Sequence, residues 1–228
     1  HNPKKIFTAN SYEFDEYFKL YSAKNIIKGS KLIIGQHGGF FGMGKWNLPE
    51  EHQINVSDSF ISWGWKTKNK KVKEGFVFTK KPHNFLGYKG NNKAIFITHP
   101  VERYTCKTQA WPAGASQSYK FINEHIEFFK NLPKKIQKKF VFRILKKTDD
   151  LMRTNYIDRI KDTFLDIAID YGDVKLSKSL NDCKLACIAY NSTIYLQTLS
   201  MNFPTVIFWN ESNFELNEST KECFDKLK

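Results

Sequence analysis

The chain has 228 residues, 41% of them hydrophobic, which is enough to bury a sizeable core as one large domain or as one domain and part of another. No apolar run has membrane-spanning length and no signal-peptide pattern opens the sequence, so a soluble segment is predicted. The formal net charge of +13 indicates either a solvated lysine-rich surface or attraction to anions, and because RRM, zinc-finger and helix-turn-helix signatures are absent we predict no nucleic-acid partner.

The four cysteines are scattered and form no Cys-x-x-Cys pair, which argues against a zinc site or a redox pair. Cys183 and Cys187 lie beside an apolar run and are expected to be small core residues. A reduced, cytoplasmic setting is therefore predicted. The chain begins His-Asn-Pro and ends in helix-like sequence, so we expect a fragment of a longer protein.

The first half of the chain is dominated by a glycine-rich segment, residues 36–44, that directly follows a clear apolar strand. Glycines at this density permit positive φ angles and close approach of the backbone to a ligand. The elements predicted around it are strands over residues 5–8, 31–35, 60–63 and 76–79 and an aromatic-rich helix over residues 12–27.

From residue 94 onward strands and helices alternate, which predicts an α/β fold with a Rossmann-like parallel sheet covered by helices. The predicted strands are residues 94–98, 140–145, 165–169, 185–189 and 205–209. The predicted helices are residues 116–132, 156–164, 177–183, a segment that begins near residue 192 and ends before Pro204, and residues 214–228.

Residues 185–209 predict strand, tight turn, helix and strand. Asn191, Ser192 and Thr193 stand where the helix begins and can cap it. A parallel βαβ unit binds its ligand at the carboxyl ends of its strands, and the N–H groups and dipole of a helix that starts there suit a phosphate. The alternative is that Ser192 and Thr193 only cap the helix.

Polar side chains follow most of the predicted strands, and parallel strands bring those ends to one edge. They are Gln36 and His37, then Lys66, then His99 and Arg103, then Lys146 and Lys147, and finally Asn191, Ser192 and Thr193. Such a set suits a phosphorylated, negatively charged ligand. His37 can equally be a loop histidine, and Arg143, inside its strand, can form a structural ion pair with Asp149 or Asp150.

Several signatures of nucleotide and acyl chemistry are missing. The chain has no GxxxxGK[ST] loop, no GxGxxG after a strand in the Rossmann position and no Gly-x-Ser-x-Gly elbow. Kinases, P-loop enzymes, NAD dehydrogenases and α/β-hydrolases are therefore disfavoured. No Asp-x-Asp motif of metal-dependent glycosyltransferases occurs, so the sequence predicts no metal requirement.

Three blocks resemble the transferases of bacterial surface-carbohydrate (O-antigen type) biosynthesis, and the similarity extends from about residue 12 to the end of the chain. The blocks are Gly35-Gln-His-Gly-Gly-Phe-Phe-Gly-Met-Gly44, Ser62-Trp-Gly-Trp-Lys66 and the long segment from Tyr190 to Trp209. The resemblance implies the GT-B class of glycosyltransferases, which has two Rossmann-like domains with a cleft between them. The nucleotide-sugar donor then lies mainly on the C-terminal domain.

A looser similarity to bacterial sialyltransferases and Kdo transferases concerns three short motifs of those enzymes. Gln36-His37-Gly38 would take the place of their acidic-Gly loop, His99-Pro100 that of their His-Pro pair, and Ser192-Thr193 that of their hydroxyl pair at a helix start. The expected carboxylate is absent from the first motif, so the resemblance makes His37 the general base.

These similarities imply glycosyl transfer to a surface glycan, with a CMP-linked acidic sugar as the favoured donor. A base removes the acceptor proton while polar groups stabilise the leaving phosphate. Phe40 and Phe41 would shield His37 and favour its neutral form. Two residues are assigned to catalysis, His37 and Gln36. Those assigned to the donor are Gly38, Gly39, Lys66, His99, Arg143, Asn191, Ser192 and Thr193, with Arg143 or Lys146 also suited to a sugar carboxylate.

The domain prediction places residues 1–44 at the end of an N-terminal domain, including an inter-domain loop, and residues 45–228 in the donor-binding domain. The expected partners are the nucleotide-sugar donor, which is a substrate and not a cofactor, a glycan or lipid-linked glycan acceptor, and the inner face of the membrane as a peripheral contact. Two alternatives stay open: a module that binds a nucleotide or an anionic glycan without turnover, and a phosphotransferase of the teichoic-acid polymerase type.

Overall fold

The computed structural model describes residues 2–76, 92–99, 115–144 and 155–227. The chain divides into two compact units, which we call the first unit (His1–Lys80 with Leu216–Lys228) and the second unit (Lys81–Glu215). Among the residues so described, no helix combines the length and the apolarity needed to cross a membrane.

The first unit contains a parallel sheet with the strand order β1-β2-β3-β4. Its strands are β1 Lys5–Thr8, β2 Lys31–Gly35, β3 Ser59–Ser62 and β4 Val72–Glu74, and its helices are α1 Ser11–Phe14, α2 Glu16–Ile27, α3 Leu48–Val56 and, at the end of the chain, α9 Glu218–Asp225. Buried apolar side chains from the strands, the glycine-rich loop and α3 form its core; they are Ile6, Leu32, Ile34, Phe41, Ile54 and Phe60.

The helix predicted over residues 12–27 is interrupted at Asp15. Asp15 has extended backbone angles, and its carboxylate accepts a hydrogen bond from the Phe18 backbone N–H at 2.9 Å, so it ends α1 and caps α2. The aromatic spacing predicted the helix but not which side is buried: Phe18 packs against the core, whereas Tyr17 is 89% exposed.

Two features between residues 45 and 80 differ from the sequence prediction. Helix α3 is absent from that prediction, although Asn47 begins it by accepting a hydrogen bond from the Glu50 N–H. The fourth strand is Val72–Glu74, while most of the strand predicted over residues 76–79 lies outside the described residues. Residues 45–76, predicted to belong to the second domain, contribute β3 and β4 to the first sheet and α3 to the first unit.

The second unit contains a five-stranded parallel sheet with the order β7-β6-β5-β8-β9 within the described part of the chain. Its strands are β5 Lys93–Thr98, β6 Phe140–Ile144, β7 Ala168–Asp170, β8 Cys183–Ile188 and β9 Thr205–Ile207, and its α-helices are α4 Ser118–Lys130, α5 Lys134–Gln137, α6 Tyr156–Thr163, α7 Leu176–Leu180 and α8 Thr193–Ser200. The predicted parallel pairing of the last two strands is confirmed, with Cys187 opposite Val206.

An aromatic cluster forms the core of the second unit. Phe96 in β5 and Phe142 in β6 stack at 5.0 Å between ring centroids, and Phe129 of α4 packs against both. His125 of α4 is buried in the same cluster, with its Nδ1 2.5 Å from the Tyr156 hydroxyl. Both units are therefore Rossmann-like, with parallel strands flanked by helices, as the sequence predicted for the region after residue 94.

Candidate functional site

His37 follows directly on β2, at the edge where the parallel strands of the first unit end. Its Nε2 lies 3.5 Å from a carboxylate oxygen of Glu13, which belongs to α1, the helix that follows β1. Its Nδ1 is buried and has no hydrogen-bond partner among the described residues. The ring packs edge-on against Phe41, with 5.1 Å between centroids, as expected for the shielding role given to that residue. The structure thus supplies a carboxylate that the local sequence around His37 lacks.

Tyr12 also forms a hydrogen bond with Glu13. The Tyr12 hydroxyl donates a hydrogen bond of 2.9 Å to the same Glu13 oxygen that faces His37. Burial raises the pKa of Tyr12 far above its ordinary value, and the neighbouring Glu13 carboxylate adds to the effect. The phenol therefore stays protonated and acts only as a donor, so Tyr12, Glu13 and His37 form a chain of polar contacts.

Gln36 braces the loop. Its side-chain oxygen accepts hydrogen bonds from the Trp63 backbone N–H at 2.8 Å and the Trp65 indole N–H at 2.7 Å, and its amide nitrogen donates to the Gly38 carbonyl at 2.6 Å. The side chain is 1% exposed. The first two bonds join the end of β2 to the segment after β3, and the third holds the loop after β2, which gives Gln36 a positioning role beside the catalytic role predicted for it.

The glycines of the loop are explained by packing within the first unit. A Cβ atom at Gly42, whose φ is +77°, would lie 2.6 Å from the indole of Trp65, and one at Gly44 would lie 2.2 Å from the ring of Phe40. The close approach expected toward a ligand is here an approach to aromatic side chains. Gly38 and Gly39 follow His37 directly, and their donor-binding role stays a prediction.

Lys66 lies beyond β3, on the surface of the first unit. Its ammonium forms an ion pair of 2.9 Å with Glu74 of β4, and both side chains are well exposed. An exposed pair of this kind contributes little to stability, because water screens it and the side chains lose conformational entropy. Lys66 is thus available to exchange Glu74 for an anionic ligand.

In the second unit, β5 and β8 bring His99 and Tyr190 together at the edge where those strands end. Their ring centroids are 5.8 Å apart. Burial raises the pKa of Tyr190 well above its ordinary value, and a hydrogen bond with the Ser192 side chain opposes that shift. Pro100 and Arg103, which were predicted to follow His99, lie outside the described residues.

Asn191 occupies the turn between β8 and α8. Its side chain is fully buried, and neither its amide nitrogen nor its amide oxygen has a hydrogen-bond partner among the described residues. A buried polar group without a partner is costly, which makes the Asn191 amide a candidate for binding a polar group. Asn191 is thus a stronger ligand candidate than its sequence position alone suggested.

The side-chain cap predicted at the start of α8 is wrong. Ser192 is the residue before the first turn, with extended angles of φ −154° and ψ −174°, but its side chain makes no capping hydrogen bond. Its side chain instead opposes the rise in the pKa of Tyr190 that burial causes. Thr193 is the first helical residue. Capping therefore does not explain Ser192.

Arg143 points its guanidinium into a structural network on the β6–β7 side of the sheet. It donates to the carboxylate of Asp170 and the hydroxyl of Ser179 through one nitrogen and to the Val174 carbonyl through the other. The ion pair anticipated as an alternative exists, but its partner is Asp170; Asp149 and Asp150 lie outside the described residues, as does Lys146. Burial would raise the pKa of Asp170, but hydrogen bonds from the Ser179 hydroxyl, the Gly172 backbone N–H and Arg143 together lower it.

The predicted site residues thus form two groups, one in each unit. The first unit holds Gln36, His37, Gly38, Gly39 and Lys66, and the second holds His99, Arg143, Asn191, Ser192 and Thr193. Glu13 and Tyr12 are the members that sequence reasoning missed. An acidic residue soon after the first strand of a parallel sheet was the available signal, because it reaches the same edge as His37.

A metal centre has no support in the described residues, where no group of three or more His, Cys, Asp or Glu side chains is placed to hold an ion. In comparisons with known proteins, a protein-family model described as "LIC12162 family transferase" matches residues 1–228. No curated protein matches the chain.

Proposed function

The chain belongs to the LIC12162 family of transferases, and from this premise we propose that it is a metal-independent glycosyltransferase of the GT-B class that moves a sugar from a nucleotide-activated donor to a surface-glycan acceptor. The contact between Glu13 and His37 is the observation that carries the proposal. An imidazole beside a carboxylate, at the edge where parallel strands end, has the composition and place of a general base.

The chemistry assigns one role to each group. The acceptor oxygen attacks the anomeric carbon, the bond from that carbon to the leaving phosphate oxygen breaks, and His37 takes the acceptor proton. Glu13, whose carboxylate oxygen lies 3.5 Å from Nε2, orients the imidazole and attracts the positive charge that forms on it during the transfer. Tyr12 holds Glu13 in place through its hydroxyl.

The leaving group is assigned to the second unit. His99, Asn191, Ser192 and Thr193 surround the start of α8, where backbone N–H groups and the helix dipole favour negative charge. The unpartnered amide of Asn191 supports a polar ligand at this turn. For the donor we keep a CMP-linked acidic sugar as the specific proposal. Because Arg143 forms an ion pair with Asp170, this proposal requires a different cation to bind the sugar carboxylate.

The test uses the full chain and a panel of sugars linked to CMP, UDP, GDP and dTDP. A ligand that binds only the folded state raises the melting temperature by mass action, so a thermal-shift screen identifies the nucleotide. We expect release of the free nucleotide together with transfer or hydrolysis of the sugar. A shift with UDP or dTDP and none with CMP would reject the donor assignment.

The same assay separates the alternatives. Binding without release would favour a non-catalytic nucleotide-binding module, and transfer of a phosphate-linked unit to the acceptor would favour the phosphotransferase. His37→Ala and Glu13→Gln are the diagnostic variants. Exposed Glu16 provides the matched control Glu16→Gln in the same unit.

A further inference from the structure

The first unit contains a cavity of about 380 Å³ beside α3, and no role proposed above uses it. Its volume lies in the range of about 300–1,000 Å³ that is usual for small-molecule sites. The loop after β2, the helix α3, the turn before β4 and the residue before α9 all contribute to its wall. The polar and charged side chains that line it are Lys45, Asn47, Glu50, Glu51, Asn55, Asn69 and Asn217, so its two carboxyl groups outnumber its one ammonium.

The wall is rich in amides and carboxylates, with Ile54 as its aliphatic member. Ligand pockets for apolar molecules are usually lined by hydrophobic and aromatic side chains, so this cavity fits a different class of ligand. An asparagine amide both donates and accepts hydrogen bonds, and a carboxylate accepts from hydroxyl groups. Alternating donors and acceptors match a polyhydroxylated molecule.

Several wall groups are held in position by bonds that leave other atoms available. Asn217 donates from its amide nitrogen to the Gly44 carbonyl at 3.1 Å, and Asn69 accepts the Lys71 backbone N–H at 3.0 Å. The remaining amide atom of each, and both amide atoms of Asn55, make no hydrogen bond to another described residue. The cavity therefore presents oriented donors and acceptors that a ligand can satisfy.

Glu50 links this cavity to the glycine-rich loop. Its carboxylate accepts the Gly42 backbone N–H at 2.6 Å and the Asn47 side-chain N–H at 3.1 Å. Burial raises the pKa of Glu50, and these two bonds oppose the shift. The Glu51 carboxylate, also in the wall, forms no ion pair with another described residue. Two carboxyl groups at one cavity disfavour an anionic ligand.

An exposed indole completes the surroundings. Trp46 is 71% exposed and stands in the sequence between two wall residues, Lys45 and Asn47, with the Lys45 ammonium 5.4 Å from its ring centroid. An aromatic face in water offers an apolar surface for the C–H face of a sugar ring. The ammonium over the ring also offsets part of the negative charge of the wall.

We propose that this cavity binds an uncharged pyranose unit of a glycan through its hydroxyl groups, which accept hydrogen bonds from the amide nitrogens of Asn55 and Asn69 and donate to the Asn217 oxygen and the two glutamate carboxylates. The role of that glycan as the acceptor rests on the function proposed above; the binding of the sugar does not. Free phosphate, nucleotides and acidic sugars are excluded from the site by its carboxylates.

The test is saturation-transfer NMR on the full chain with the methyl glycosides of glucose, galactose and N-acetylglucosamine as probes. Inorganic phosphate and the methyl glycoside of sialic acid are the anionic comparators. We expect at least one neutral glycoside to bind and neither anion to compete with it. Absence of binding by all three neutral glycosides would overturn the proposal, as would preferential binding of an anion.

The variant Asn55→Ala/Glu51→Ala removes two wall groups that support no described contact of the fold. Loss of two hydrogen bonds should weaken binding at least about tenfold. Asn181→Ala, an exposed asparagine of the second unit, is the control and should bind as the parent does. Unchanged affinity in the double variant would sink the assignment, and calcium binding that displaces the glycoside would identify a cation site instead.

This outcome is independent of donor chemistry. If a neutral glycoside binds but no nucleotide sugar is turned over, the proposal that the cavity binds a sugar is supported and the glycosyltransferase proposal is rejected. If turnover proceeds and the double variant binds glycosides normally, the glycosyltransferase proposal is supported and the proposal that the cavity binds a sugar is rejected.

Discussion

The two units share a parallel, helix-flanked sheet but use the carboxyl edge of that sheet differently. In the first unit the edge is internally bonded: Gln36 ties the segment after β3 to the loop after β2, and His37 faces Glu13. In the second unit Asn191 lies at that edge with its amide unpaired among the described residues, and Ser192 leaves its cap unmade. The first edge is preorganised for chemistry, whereas the second keeps polar capacity for a ligand.

The largest effect should come from His37→Ala, which tests whether the sheet edge of the first unit carries the general base. General base catalysis typically contributes about 100- to 10,000-fold, so turnover should fall by a factor in that range in a nucleotide-release assay. Donor affinity, read from the thermal shift, should stay nearly intact because the proposal assigns His37 to proton transfer and not to donor binding. Loss of donor binding with normal residual turnover would make His37 a binding residue, and no effect on either would leave it a loop histidine.

Gln36→Ala tests whether the first edge is braced as described. The change leaves the Trp63 N–H and the Trp65 indole N–H without their acceptor, at about 1–3 kcal/mol for each buried donor. We expect urea unfolding to show a loss of about 2–4 kcal/mol in the free energy of unfolding. Gln197→Ala in α8 is the control and should change stability little. A loss below about 1 kcal/mol in Gln36→Ala would show that the bonds do not brace the loop.

Glu13→Gln tests the partner of the base. Bonds to charged groups contribute about 1.5–3 kcal/mol, so turnover should fall about 10- to 100-fold, less than in His37→Ala. The double variant should be no slower than His37→Ala alone, because the two residues act as a unit. Additive losses in the double variant would mean that Glu13 acts independently of His37. Glu16→Gln, which removes an exposed charge one helix later, should be silent.

The double variant Ser192→Ala/Thr193→Ala tests whether the sheet edge of the second unit binds a ligand. Loss of two hydrogen bonds to phosphate should weaken nucleotide binding about tenfold in calorimetry, with the fold retained in the absence of nucleotide. Since Ser192 makes no cap, the fold should survive. Unchanged affinity with lower stability would instead assign these hydroxyls to the fold. Ser200→Ala at the other end of α8 is the control.

The smallest expected effect is the pH dependence of the free energy of unfolding. Burial lowers the pKa of His125 in the second unit to about 3 from its ordinary 6.5, and a hydrogen bond with the Ala189 backbone opposes the shift. Between those values the unfolded chain binds a proton that the folded chain does not. The free energy of unfolding should therefore decrease as pH falls from about 6.5 toward 3, by at most about 1.4 kcal/mol per pH unit from this residue.

His125→Phe isolates that contribution. The substitution keeps an aromatic ring in the cluster with Phe96 and Phe121 and removes the titration. Unfolding midpoints measured in urea at pH 7, 6 and 5 should depend less on pH in the variant than in the parent. An equal pH dependence in both proteins would show that His125 does not control the acid stability of the second unit.

The outcome for Ser192 shows how far local sequence reaches. A hydroxyl residue before an apolar, helix-spaced segment correctly located the start of α8, because that signal depends on neighbouring residues. The same residue type did not reveal that its hydroxyl makes no capping bond, since side-chain geometry at the turn is set once β8 and α8 have packed. Arg143 is similar: its ion pair was anticipated, but the partner came from the adjacent strand rather than from the nearby Asp149 or Asp150.

Sequence by itself determined the parallel α/β class and the approximate place of most strands, because apolar runs and alternating elements are local properties of the chain. Only the tertiary structure brought Glu13 to His37. It also joined Gln36 by hydrogen bonds to Trp63 and Trp65, which lie 27 and 29 residues further along the chain. These contacts depend on strand order and register, which align the ends of separate parallel strands at one edge. The candidate base could therefore be found from the sequence, whereas its carboxylate partner could be found only in the fold.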